Sequence, residues 1–318
     1  MLRTLLLVSS FVVAAACGGS SAAAPASGKP RLVVIPKGTT HVFWQAVAAG
    51  ARTGGEAAGV EVVWKGPLQE DSREQQIQLV QQFVGEGVAG IALAPLDHAA
   101  LVPAVRSARA RGIEVVVFDS DLDGQAGKDY ASFVATDNRA AGELAGRHLA
   151  QLLGGKGKVA MLRYQVGSAS TEAREEGFLA AARAGGLEVV VDNRYAGASV
   201  GEAKTTALNL ADTLRGVQGV FCSNESTTVG MVQALVQLEL VGKVQVVGFD
   251  CSPPIAQALG AGQLAAIVVQ DPRRMGELAV RHLADAIAKK DVPPRVDTGA
   301  VLATKANMQE PAIRKLLE

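Results

Sequence analysis

Two short runs, Glu114-Val115-Val116-Val117-Phe118-Asp119 and Val244-Gln245-Val246-Val247-Gly248-Phe249-Asp250, are apolar for nearly their whole length and end on a carboxylate. A strand solvated on one face alternates polar and apolar side chains, whereas a strand buried on both faces does not. These runs therefore predict parallel strands covered by helices on both sides. In open parallel sheets ligands bind beyond the carboxyl ends of the strands. The matched carboxylates thus point to two similar lobes, each lending an aspartate to one cleft. For either residue alone, a cap on the next helix is the competing reading.

The rest of the chain supplies the alternation that such sheets need. Strands are predicted at Arg31–Pro36, Val60–Lys65, Val88–Ala94, Glu114–Phe118 and Tyr130–Ala135, with helices at His41–Ala58, Ser72–Gly85 and Ala99–Arg111 between them. After Thr136-Asp137-Asn138 a helix from Ala140 to Leu153 opens a second series. Its strands are Lys158–Arg163, Leu187–Val191, Val217–Cys222, Val244–Phe249 and Leu264–Val269; its helices lie near Thr171–Ala184, Gly201–Leu214, Ser226–Leu238 and Ile255–Leu259. A helix over Arg273–Lys289 and a strand over Asp297–Leu302 close the chain. Strands regularly alternating with amphipathic helices are the sequence form of an α/β, doubly wound parallel sheet.

With 318 residues there is room for two ordinary domains, and 31 basic against 31 acidic side chains give no electrostatic reason to expect a nucleic-acid partner. The segment Met1–Ala16 carries Arg3 and an apolar stretch from Leu5 to Val13, too short for a membrane-spanning helix, and reads as a secretory signal peptide. Ala14-Ala15-Ala16-Cys17 followed by Gly18-Gly19-Ser20-Ser21 resembles a lipobox, so Cys17 is the expected lipidation site, at the end of a leader spanning 1–17. Residues 18–30, mostly Gly, Ser, Ala and Pro, form an expected flexible tether. Export would permit disulfides, but Cys222 and Cys251 are staggered along their strands and read as small buried apolar residues.

Enzymatic and cofactor motifs fail on context. Gly154-Gly155-Lys156-Gly157-Lys158 precedes a strand instead of following one, and Val159 stands where a phosphate loop needs Ser or Thr. No G-x-G-x-x-G follows the first strand. The four histidines show no metal-ligand spacing, and His98, His148 and His282 read as helix-surface residues. The sequence calls for no catalysis, no cofactor and no metal.

One family gathers the remaining features: Phe43-Trp44 opening the first helix, Ala94-Pro95-Leu96-Asp97, Phe118-Asp119, Ala135-Thr136-Asp137-Asn138, Gly167-Ser168 leading to Arg174-Glu175-Glu176-Gly177-Phe178, Cys222-Ser223-Asn224-Glu225, Val247-Gly248-Phe249-Asp250 and Val268-Val269-Gln270-Asp271-Pro272. In this order and spacing, from Arg31 to about Leu302, the chain resembles the periplasmic solute-binding proteins of sugar ABC transporters, ribose-binding group. The resemblance implies the type I binding-protein fold, with residues 31–135 plus 271–297 as the N-terminal lobe and 136–270 plus 298–318 as the C-terminal lobe. The hinge crossings would fall near Ala135–Asn138, Gln270–Asp271 and Asp297–Leu302.

Carried over residue by residue, the resemblance implies polar ligand contacts at Lys37 and His41, aromatic contacts at Phe43 and Trp44, and a hydroxyl-binding carboxylate at Asp119. Arg174, Asn224, Asp250 and Gln270 follow in the second lobe. These types suit a sugar independently of the family: carboxylates accept from hydroxyls, arginine and amides donate to oxygens, and an aromatic face covers C–H groups. Lys37 stands where the ribose-type pattern has a small hydroxyl residue and is more like arabinose-type binders. The second lobe's usual aromatic is expected to be missing, because Tyr195-Ala196-Gly197-Ala198 occupies the aligned stretch. The implied function is capture of a neutral monosaccharide by a monomeric, lipid-anchored protein in the periplasm or on the cell exterior, for delivery to ABC permease subunits. The alternative is another polyhydroxylated ligand, such as a polyol, a nucleoside or a furanosyl signal, serving a transporter or chemoreceptor. A sugar-responsive repressor core would need a helix-turn-helix where the leader stands, and an exported enzyme would need a nucleophile–base pair.

Overall fold

The structure, a computed structural model, describes residues 28–317; the leader, Cys17 and most of the expected tether lie outside the described residues. The first series comprises β1 (Arg31–Ile35), α1 (Val42–Ala58), β2 (Glu61–Trp64), α2 (Arg73–Glu86), β3 (Gly90–Leu93), α3 (Val102–Ala110), β4 (Glu114–Phe118) and β5 (Ser132–Ala135). The second opens with α4 (Asn138–Leu152), β6 (Lys158–Arg163), α5 (Ala169–Ala184), β7 (Glu188–Tyr195), α6 (Val200–Asn209), α7 (Ala211–Gly216) and β8 (Gly219–Cys222). It continues with α8 (Glu225–Gln237), β9 (Gln245–Phe249), α9 (Pro253–Gly260) and β10 (Ala266–Gln270). The chain then runs through α10 (Pro272–Ile287), β11 (Arg295–Asp297), β12 (Ala300–Thr304) and α11 (Pro311–Leu317).

The strands form two six-stranded sheets of identical layout, β2-β1-β3-β4-β5-β11 and β7-β6-β8-β9-β10-β12. Every pairing is parallel except β10 with β12. The two α/β lobes are therefore copies of one plan, with β4 and β9 in equivalent places. The apolar runs behave as both-face burial requires. Val115 and Val117 pack into the cluster under α2 and α3, while Val116 and Phe118 pack into the one under α1 and α10. In the second lobe Val246 faces one cluster, and Val247 and Phe249 face the other. Polypeptide passes between the sheets after β5, after β10 and after β11. These crossings are tied together by Thr298 N–H donating to Ala135 O at 2.9 Å and Asp137 N–H to the Asp297 carboxylate at 2.9 Å.

Several elements differ from the sequence reading for identifiable reasons. The third helix begins at Val102, not Ala99, because the Asp97 carboxylate accepts from Ala99 and Ala100 N–H and holds a turn there. The helix read over Gly201–Leu214 is two helices, α6 and α7, meeting at Leu210. The last strand is likewise two: β11 joins the first sheet and β12 the second, split by Gly299 in the left-handed region (φ 83). His98 is not on a helix surface; it sits in the turn after β3 and bonds Asp123 at 2.7 Å. His148 and His282 do lie on helices but are half-buried. Both thiols are free, with Cys222 buried and Cys251 only half-buried.

Two helix pairs aim their first turns at the space between the lobes, and glycines allow them to approach. A Cβ at Gly142 of α4 would lie 1.9 Å from Arg174 O of α5, and one at Gly177 would lie 2.1 Å from Arg139 O. In the first lobe Gly50 of α1 and Gly276 of α10 stand in the same relation to Arg273 O and Val47 O, at 1.8 and 2.1 Å. The obstructing atoms are backbone, so a methyl group can be admitted only by separating the helices. Gly142→Ala should therefore cost about 1–3 kcal/mol, seen as a lower melting temperature. Gly85→Ala, on α2 with open space around the position, should gain about 0.4–1 kcal/mol by restricting the unfolded chain. Equal effects of the two substitutions in thermal melts would contradict this account.

Candidate functional site

The carboxyl ends of both sheets face each other across a small cavity of about 30 Å³. Lys37, His41, Phe43, Trp44 and Asp119 line it from the first lobe, and Arg174, Asn224, Asp250 and Gln270 from the second. All nine residues singled out in the sequence thus converge on one place. Tyr164, Ser170, Thr171, Glu70 and Glu225 complete the lining.

Asp119 and Asp250 occupy equivalent positions one residue past β4 and β9, and both have left-handed backbone, with φ 60 and φ 67. Each donates its N–H to the neighbouring strand, Asp119 to Val134 O at 3.0 Å and Asp250 to Val268 O at 2.8 Å. Left-handed conformation is uncommon for residues with a side chain, although aspartate tolerates it better than most. Here it turns both carboxylates into the cavity. Neither residue caps the helix that follows it in the chain: Ser252 stands at the N-cap position of α9, and Asp137 caps the first helix after Asp119. The Asp250 carboxylate does accept from the Glu225 N–H at the start of α8. Asn224, in contrast, is the N-cap of α8, accepting from Thr227 N–H at 3.1 Å while its amide donates to Ser226 Oγ at 3.1 Å.

The charges are buried and mutually held. Lys37 donates to Ser168 Oγ (3.0 Å) and Ser170 Oγ (2.9 Å) across the cleft and lies 3.3 Å from Asp119 Oδ2. Arg174 donates to Asn138 Oδ1 at 2.8 Å and to Ser223 O at 3.1 Å, with its guanidinium 3.9 Å from the centre of the Phe249 ring. Asp250 accepts from Gln270 Nε2 at 2.7 Å and from Glu225 N–H at 3.0 Å. Burial raises the Asp250 carboxyl above its ordinary range, outweighing the Arg174 charge and the Gln270 hydrogen bond, while the Asp119 charge adds to the rise. Burial similarly lifts Glu225 to about 7, with Asp250 adding to the rise and His41 opposing it. Burial disfavours the charged forms of His41 and Glu70 too, but their mutual hydrogen bond and attraction win: His41 rises to about 9 and Glu70 falls to about 2.

Five lining residues escaped the sequence reading. Glu70 sits in the polar stretch before α2, indistinguishable by composition from an ordinary loop. Tyr164 follows β6 at the place where Pro36 and Lys37 follow β1, so the repeat of the lobe plan was the signal that could have found it. Its presence corrects the expectation that the second lobe lacks an aromatic: Tyr164 is fully buried in the lining, whereas Tyr195 is 43% exposed beside Arg163. Ser170 and Thr171 open α5, and Glu225 opens α8.

Two matched lobes joined by three crossings around a polar cleft define a solute-binding protein of the type I fold. The chain belongs to the family described as the periplasmic binding protein domain, which matches residues 32–291. It is 30% identical over 267 residues to the D-allose-binding periplasmic protein of Escherichia coli, covering 82% of this chain and 86% of that one. It is 29% identical to the ribose import binding protein of the same species over 274 residues, 84% of this chain and 87% of that one. Among solved structures, a solute-binding protein of an Agrobacterium vitis ABC transporter with bound D-fucose superposes with a TM-score of 0.86 at 34% identity, covering 91% of this chain and 100% of the other. A carbohydrate transporter solute-binding protein of Agrobacterium radiobacter in complex with D-arabinose gives the same TM-score at 33% identity, with 91% and 99% covered.

The titrating groups set a pH profile for stability. Glu175, buried behind the cleft, and Glu225 are raised from 4.5 to about 7, so their contribution is present below 4.5 and is lost as pH rises through 7. His41, raised from 6.5 to about 9, contributes below 6.5 and loses that contribution as pH rises through 9. Glu70, lowered to about 2, contributes above 4.5 and loses its contribution only in strong acid. The melting temperature should therefore fall from about pH 5 to about pH 9, and Glu225→Gln should flatten the part of that fall below about pH 7. A melting temperature that rises over this range would refute the assignment.

Proposed function

We propose that this protein captures a neutral monosaccharide between its lobes and delivers it to the permease of a sugar ABC importer. The observation that carries the reading is the pair Asp119 and Asp250, held in left-handed backbone so that equivalent carboxylates from two lobes meet in one cleft with Lys37 and Arg174. Such carboxylates accept from sugar hydroxyls, and the cations and amides donate to sugar oxygens. The Oε1 atom of Gln270 is buried without a hydrogen-bond partner, an acceptor that a sugar hydroxyl would satisfy. The nine residues named from the sequence are the proposed ligand contacts, with Tyr164 added as an aromatic wall. The charge of the lining argues against an anionic ligand: Lys37, Arg174 and protonated His41 are already met by Glu70, Asp119 and Asp250.

A cavity of about 30 Å³ holds roughly two waters, too few for a sugar ring. Entry therefore requires the lobes to part at the three crossings, and closure follows when ligand contacts from both lobes favour the closed arrangement. Relatives whose names specify D-allose and ribose, and solved structures containing D-fucose and D-arabinose, support an aldose. Cys17 would carry the lipid that keeps the protein at a membrane on the periplasmic or outer side, with residues 18–30 as its tether.

Titration calorimetry with matched pairs tests the ligand class: a free aldose should bind more tightly than its phosphate or uronic acid, and the reverse order would overturn the proposal. Asp119→Asn and Asp250→Asn, which tolerate left-handed backbone, should each weaken binding about 10- to 100-fold, the equivalent of about 1.5–3 kcal/mol for a hydrogen bond to a charged group. Asp119→Asn leaves buried Lys37 without its carboxylate partner and should also lower the ligand-free melting temperature. Anchoring is tested separately by Cys17→Ser, which should move the protein from the membrane fraction to the soluble fraction. A wild-type protein that is already soluble after lysis would refute the lipid anchor.

A further inference from the structure

Glu70 collects three donors from two separated parts of the chain. Trp44 Nε1–H donates to its Oε1 at 2.6 Å, His41 Nδ1 bonds the same oxygen, and the Tyr164 hydroxyl donates to Oε2 at 2.6 Å. The carboxylate is 6% exposed. A carboxylate offers about four acceptor positions, and three are occupied, so little capacity remains for a ligand hydroxyl. Trp44 and Tyr164 both line the cleft, and a buried indole N–H or phenol O–H needs a partner to hold its ring in one place. Trp44 and Glu70 belong to the first lobe, but Tyr164 belongs to the second, so its bond to Glu70 forms when the lobes come together.

We infer that Glu70 is a positioning residue that fixes the Trp44 side of the sugar site and, through Tyr164, ties the second lobe's aromatic to it on closure. Its role differs from that of Asp119 and Asp250: it orients the aromatic walls and does not read the sugar's hydroxyls. The inference rests on the cleft being the sugar site, and it adds a residue that ordinary sequence patterning does not distinguish from a loop. The arrangement has two consequences. Glu70→Gln is nearly isosteric but loses the charge that holds protonated His41 and cannot accept from all three donors as a carboxylate does. Tyr164→Phe removes one hydroxyl and leaves the Glu70, His41 and Trp44 contacts in place, so its effect is confined to the closed state.

The test uses the full chain in a Trp64→Phe background, which leaves Trp44 as the sole tryptophan of the two in the sequence. Stopped-flow fluorescence with D-ribose, D-allose, D-arabinose and D-fucose as probes should show Glu70→Gln and Tyr164→Phe each raising the dissociation rate about tenfold with association little changed. Because the two substitutions break one shared contact, the double variant should dissociate no more than about threefold faster than the worse single one. Fully multiplicative effects would overturn the inference. So would a loss with Glu70→Gln that vanishes for a sugar lacking one hydroxyl, which would make Glu70 a direct reader. A ligand-free arm separates this inference from the sugar reading: Glu70→Gln should increase acrylamide quenching and lower the anisotropy of Trp44, while Tyr164→Phe should change neither. If none of the four sugars binds the wild-type protein, the sugar reading fails for these aldoses and the ligand-free arm alone decides. Unchanged Trp44 quenching and anisotropy in Glu70→Gln would then overturn the positioning role.

Discussion

Several ionisable side chains are buried in one cleft, and the rest of the structure depends on how their charges are matched. An isolated buried charge costs several kcal/mol, so Lys37, Arg174, His41, Glu70, Asp119 and Asp250 persist there only as members of a connected set. The first lobe holds Lys37 beside Asp119 and His41 beside Glu70. The second holds Arg174 against Asn138 and Ser223, with Gln270 and the Glu225 N–H on Asp250. Matching of this kind demands fixed positions, and left-handed backbone at Asp119 and Asp250 together with glycine-mediated helix contacts at Gly50, Gly276, Gly142 and Gly177 supply them.

Duplication explains how the fold delivers that precision twice. The two sheets share one strand order, so the loop after β1 and the loop after β6 face each other, as do the ends of β4 and β9. Lys37 from the first loop therefore meets Ser168 and Ser170 beyond the second. The glycine contacts repeat in the same way, with α1 against α10 in one lobe and α4 against α5 in the other.

What the sequence disclosed follows from this plan. Both-face burial leaves an unmistakable apolar run, so β4 and β9 and the aspartates beyond them were legible as a pair. The helix break at Leu210 and the division of the final strand at Gly299 were not, because each depends on tertiary partners that a local pattern does not contain. β11 pairs with β5 and β12 with β10, strands distant in sequence. Within the site, residues in recognisable strings, such as Phe43-Trp44 and Gln270-Asp271-Pro272, were identified by resemblance. Glu70 belongs to no such string, and its importance comes from meeting Trp44 and Tyr164 in space. The resemblance aligns the second lobe's aromatic with the stretch at Tyr195, at the end of β7, whereas the aromatic in the lining, Tyr164, follows β6.

Closure also constrains what the ligand must do. Of the three partners of Lys37, only Asp119 belongs to its own lobe; Ser168 and Ser170 belong to the other. Parting the lobes removes those two bonds, the Glu70–Tyr164 bond and the bond from Phe43 N–H to the Glu225 carboxylate. Water replaces them, so the protein's own contacts favour closure by only a modest net amount per hydrogen bond. A ligand can move this equilibrium only by the difference between its affinities for the two arrangements. A sugar bound to one lobe alone would leave the balance unchanged. One that reaches both Asp119 and Asp250 makes its full set of bonds only in the closed form, which is why equivalent carboxylates on opposite lobes serve a clamp better than two on the same lobe.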